Sequence, residues 1–111
     1  MESVNLEQLA NELLETARSA SAGRAARSIH ADHHFALRQT VIALADGQEL
    51  GEHESPGEAT LQVLTGRVRL ATANEAWEGA SGDYLIIPAE RHNLAASSDA
   101  VVLLSVAAHP A

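Results

Sequence analysis

Apolar residues near the start of the chain recur at intervals of three and four, at Leu6, Leu9, Ala10, Leu13, Leu14 and Ala17. That spacing lays an apolar stripe along one side of a helix running from about Leu6 to Ser21. Asn5 can cap this helix with Gln8 three residues on, Glu7 suits the positive helix end, and Gly23 supplies a stop. From Phe35 onward the pattern changes to short apolar runs punctuated by Gly, Pro, Asn and Asp, the signature of an antiparallel barrel or sandwich. About eight strands are expected on this reading. The clearest are Ala36 to Leu44, Glu49 to His53, Ala59 to Leu64, Arg67 to Ala71, Tyr84 to Ile87, His92 to Ala95 and Val101 to Val106. Asp46-Gly47, Pro56-Gly57, Thr65-Gly66, Asn74-Glu75 and Ser81-Gly82-Asp83 mark turns, and Gly79-Ala80-Ser81-Gly82 also reads as a turn.

Period-two geometry decides which side chains share an interior. His53 and Ser55 point the same way, and Ala59, Leu61 and Val63 do likewise on the next strand. Two Gly-anchored segments, GQELGEHESPGEATLQVLTG (Gly47 to Gly66) and GDYLIIPAERHN (Gly82 to Asn93), contain these strands. Together they resemble the paired signature of the cupin superfamily, and the resemblance extends over roughly Ala36 to Val106. It implies a mainly β, cupin-like antiparallel β-barrel of jelly-roll type, preceded by the N-terminal amphipathic helix. One domain overall is expected, with residues 1–35 forming the helix and a connecting segment and residues 36–111 the barrel.

Members of that family usually hold a metal with three histidines and one glutamate. Gly47, His53 and Gly66 fall at the family's spacing, but Ser55 stands where the second histidine would be and Ala59 where the glutamate would be. His92 resembles the last histidine, one residue short of its usual place, which Asn93 occupies, and Glu90 replaces a glycine. The resemblance makes His53 and His92 the metal candidates and His53, Ser55, Leu61 and His92 the ligand-binding set. Glu58 could complete a two-histidine, one-carboxylate set by a backbone rotation; otherwise it is a solvated turn residue pointing opposite to Ala59. Two neutral imidazoles without an assured third ligand bind a divalent metal weakly.

Other features alter the picture less. His30, His33 and His34 form a His-x-x-His-His cluster in an expected loop, where they are solvated, line the barrel mouth or bind a metal. His109 is expected to be disordered. Trp77 and Tyr84 read either as structural plugs or dimer contacts, or as a wall on which a ligand stacks. The chain has 111 residues, 46% apolar but only 3% aromatic, so its core is built from aliphatic side chains. A net charge of −8 and the absence of Lys argue against nucleic acid as a partner. With no Cys there is no disulfide framework or thiolate nucleophile. The N-terminus lacks a basic n-region and a long apolar run, and the helix has an acidic polar face. Neither a signal peptide nor a membrane role is therefore expected, and the cytoplasm is the default location.

Because the helical stripe would leave an apolar patch beside a small barrel, a homodimer is expected. Three functional classes remain open: a small-molecule-binding or sensing barrel, a metal-dependent enzyme of oxygenase or isomerase type, and a structural or dimerising domain. The ligand's identity is not encoded in these features.

Overall fold

The computed structural model describes residues 1–55 and 57–107; Pro56 and His109 lie outside the described residues. Helix α1 spans Leu6–Ser19, with Asn5 accepting a hydrogen bond from the Gln8 amide at 2.8 Å. It ends short of the expected Ser21. The Ser19 hydroxyl bonds back to the Thr16 carbonyl at 3.2 Å, Ala20 is extended, and Gly23 turns the chain with a φ of 66°.

Eight strands follow: β1 (Arg24–His30), β2 (Leu37–Leu44), β3 (Glu58–Thr65), β4 (Arg67–Ala71), β5 (Ala76–Ala80), β6 (Tyr84–Ile86), β7 (Asn93–Ala96) and β8 (Ala100–Ala107). They form a five-stranded sheet in the order β1-β2-β8-β3-β6 and a three-stranded sheet in the order β5-β4-β7, with antiparallel pairing throughout. The sheets face each other across a core that includes Leu44, Leu61, Val63, Val68, Leu70, Leu94 and Val102. This is the expected jelly-roll arrangement, although the described sheets are not closed into a barrel.

Three local expectations are corrected. The segment after the helix is not merely a connection, because RAARSIH forms β1 along the edge of the large sheet. Its small apolar residues, Ala25 and Ile29, gain their burial only from the helix laid over them, so the strand carries little pattern of its own. The stretch from Glu49 to His53 makes only isolated bridges, Glu49 to Ala95 and His53 to His92, because Gly51 at a φ of 75° interrupts the extended backbone. Gly79 belongs not to a turn but to β5, opposite Val68.

The helix does not wait for a second subunit. Leu9, Ala10, Leu14 and Ala17 pack against Val41, Ala43 and Val101 on the outer face of the chain's own large sheet. The adjacent Leu44 and Val102 point to the other side, into the core between the sheets. That double coverage explains why VIAL in β2 and VVLL in β8 are continuous apolar runs rather than alternating ones. The apolar stripe therefore gives no reason for dimerisation.

Asp99 ties the helix to this framework. Its carboxylate accepts from Arg18 Nε at 2.7 Å and from the Asp46 amide at 2.8 Å. Nearby, Gly66 passes so close to the Asp99 carbonyl that no side chain fits, and its φ of 80° also favours glycine. Arg18, then the Asp46 amide, hold the Asp99 carboxyl below the ordinary aspartate value of 3.8. A depressed carboxylate pKa stabilises the fold at higher pH and loses that contribution as pH falls through the folded-state value. Asp99→Asn, which keeps an acceptor for Asp46 but not the charge, should flatten the loss of stability between about pH 5 and pH 2 measured by urea unfolding. Superimposable wild-type and variant profiles would refute this role.

Candidate functional site

His53 and His92 meet because the backbone makes them direct partners. Each donates its amide to the other's carbonyl, at 2.9 Å from His53 and 3.1 Å from His92. In an antiparallel pair, residues exchanging both bonds project their side chains to the same face. The imidazole centroids are accordingly 4.4 Å apart with planes at 70°. His92 is 3% exposed and continues the inward alternation of Leu94 and Ala96, whereas His53 lies at the exposed end of the pair. The tight Pro88-to-His92 turn, in which the Glu90 amide bonds the Pro88 carbonyl at 2.8 Å, delivers His92 to this position despite the shortened motif.

The ring chemistry is set locally. His92 Nδ1 lies 2.8 Å from the Glu90 carbonyl and His53 Nδ1 lies 3.1 Å from the Gly51 carbonyl. A carbonyl can only accept, so this geometry calls for the proton on Nδ1, and in the neutral ring Nε2 then holds the lone pair on the far side. On the opposite face, Arg91 spans Glu54 at 2.8 Å and Glu52 at 3.4 Å, clasping the irregular segment to the chain before β7. Glu54, then Glu52, hold the Arg91 guanidinium proton more firmly than usual.

The other predicted residues divide. Leu61 is 2% exposed within the core between the sheets. Ser55 is half-buried, its hydroxyl shared with the backbone of Gly57 at 3.3 Å to both the amide and the carbonyl. Glu58 is exposed and alternates with inward-facing Ala59, so strand β3 turns its carboxylate away from the interior without a backbone rotation. Among the described residues, no carboxylate or third imidazole joins His53 and His92 as a possible metal-ligand group. Asp32, His33 and His34 do bring three such atoms within 4.8 Å of one another, in an exposed turn. His30 closes β1 and stacks on Phe35 with centroids 4.5 Å apart.

A cavity of about 270 Å³ opens on the inner side of the small sheet, lined by Leu70, Thr72, Trp77, Leu85 and Pro88 among others. Glu75, Ala76 and Ile86 complete its lining, and neither His53 nor His92 is part of it. Trp77 walls the cavity and owes its position to Gly79. A methyl group at Gly79 would collide with the indole ring, which fills the space the missing side chain leaves. The Trp-x-Gly spacing within one strand was the available sequence signal. Gly79→Ala should displace the indole and alter the fluorescence of the chain's single Trp, while circular dichroism stays unchanged. An unaltered emission spectrum would show that the glycine does not seat the ring.

No family model and no curated protein matches the chain. Among solved structures it is similar to a conserved protein of unknown function from Streptococcus pyogenes, at 30% identity over 83% of this chain and 80% of that one, with a TM-score of 0.72. An RmlC-like cupin from Desulfovibrio desulfuricans shares 24% identity over 96% of each chain, with a TM-score of 0.74. A cupin superfamily protein from Desulfitobacterium hafniense shares 17% identity over 78% of each chain, with a TM-score of 0.71. These last two likenesses concern the fold alone. No described helix is long and apolar enough to cross a membrane.

Proposed function

We propose that the chain, which has the fold of the cupins, is a small-molecule-binding or sensing domain whose ligand rests against His53 and His92. The observation that carries this reading is the matched state of the two rings, with Nδ1 bonded to a backbone carbonyl in each and Nε2 left to accept. A ligand meeting these atoms presents a hydroxyl or an N–H. The cavity walled by Leu70, Trp77, Leu85 and Pro88, with Thr72 and Glu75 at its lining, offers a place for an apolar body. At about 270 Å³ it lies below the roughly 300–1,000 Å³ of pockets that hold drug-sized compounds, which favours a small metabolite.

A second reading, a metal-dependent cupin enzyme of oxygenase or isomerase type, draws on the same rings. An imidazole whose Nδ1–H is held by a carbonyl is oriented to ligate through Nε2. His53 and His92 are the residues that fit a divalent metal. With no described carboxylate beside them, the shell is charge-poor and affinity is expected to be weak.

Trp77 makes the two readings separable. Titrating tag-free protein with a panel of small phenols, alcohols and amines should yield a compound that changes Trp77 emission. His92→Ala should weaken its binding by about tenfold, the equivalent of one lost hydrogen bond. Absence of any response across the panel, together with tight stoichiometric zinc or iron binding abolished by His53→Ala, would replace the binding reading with the metalloenzyme reading.

A further inference from the structure

The turn joining β1 to β2 brings three metal-ligating side chains together outside the His53–His92 pair. The Phe35 amide closes it by donating to the Asp32 carbonyl at 2.9 Å. Asp32 Oδ1 accepts the His34 amide at 2.9 Å, which holds the carboxylate against the turn. His33 and His34 stand at the tip with ring centroids 3.9 Å apart and planes tilted by 42°. His33 Nδ1 lies 3.7 Å from Asp32 Oδ1, and one ligand atom from each of the three residues lies within 4.8 Å of the others. Phe35 stacks on His30, the last residue of β1, with centroids 4.5 Å apart and planes within 9°, so the far end of the turn is anchored to the strand that precedes it.

We propose that Asp32, His33 and His34 form a site for a borderline divalent transition metal, of which zinc is the probe. Two imidazoles and one carboxylate are a donor set that zinc takes, with water in the fourth tetrahedral position. Ligand atoms about 2.0–2.2 Å from a tetrahedral zinc stand roughly 3.4 Å apart. The atoms on this turn approach that spacing with no metal between them, and rotation of exposed side chains, which no packed core resists, closes the remainder. All three residues are exposed, so water can fill the positions the protein leaves open. The Asp32 carboxylate supplies the negative charge that His53 and His92 lack. The net charge of −8 further favours the approach of a divalent cation. Imidazole donors select against magnesium and calcium, which take oxygen shells. Strand β1 lies at the edge of the large sheet and pairs with β2 alone, so a metal at this turn would pin the connection between them.

Calorimetric titration of tag-free, full-length protein with zinc should show a first equivalent bound at micromolar concentration, and magnesium should show none. His34→Ala should weaken the zinc affinity at least about tenfold, because even the outer partners of metal ligands are worth about 10–100-fold. Asp32→Asn keeps an oxygen for the His34 amide, so the turn survives while the charge is lost. Zinc affinity should fall in this variant too, with circular dichroism unchanged. In the wild type, copper added well below stoichiometry should broaden the amide resonances of His33 and His34 before that of Leu94, a readout independent of any variant. Absence of zinc binding overturns the proposal, as does an affinity unaltered by both substitutions. A first equivalent removed by His53→Ala, or broadening centred on His53 and His92, overturns it as well and moves the metal to the other pair.

Discussion

Burial of β8 on both faces is the constraint from which the rest of the architecture follows. Val101 and Val102 are neighbours in sequence, face opposite ways, and are 0% and 1% exposed. A strand with no polar face needs a layer on each side. The small sheet supplies one and helix α1 the other, and β8 in turn pairs with β2 and β3 along most of its length. Loss of Val101 would remove packing from the cluster under the helix and loss of Val102 from the core between the sheets, and core truncations of this kind cost about 1–5 kcal/mol each. The helix is thus a structural layer of the domain rather than an appendage.

Much of this was legible in the residues. The period of three and four in Leu6 to Ala17 located α1, and the short apolar runs between turn residues located β3, β4, β6 and β7 to within one residue at each end. Where the reading failed, burial came from outside the segment. RAARSIH lacks an apolar face because the helix provides one for Ala25 and Ile29. AWEGA hid a strand because Gly79 looked like punctuation, whereas its role is to make room for the Trp77 ring two residues earlier. The helical stripe was read as needing cover from the chain's own sheet or from a second subunit, and the own sheet supplies it, a choice that sequence spacing does not make.

The site divides along the same line. His53 and His92 were found through motif spacing, and their proximity rests on backbone hydrogen bonds that no spacing displays. Strand alternation foretold that Glu58 would point opposite to Ala59. The state of the rings depends on carbonyls at Gly51 and Glu90, each two residues before its histidine, and on turns whose geometry only the coordinates give. What remains of the expected ligand positions is therefore a pair of imidazoles held in matched orientation by backbone carbonyls.

That account turns on the position of two protons. Long-range proton–nitrogen correlation of the imidazoles above neutral pH reads the tautomer of each ring directly. Both His53 and His92 should carry the proton on Nδ1, with Nε2 showing the nitrogen shift of a lone-pair acceptor. A proton on Nε2 in either ring, or rapid exchange between tautomers at His92, would contradict the account.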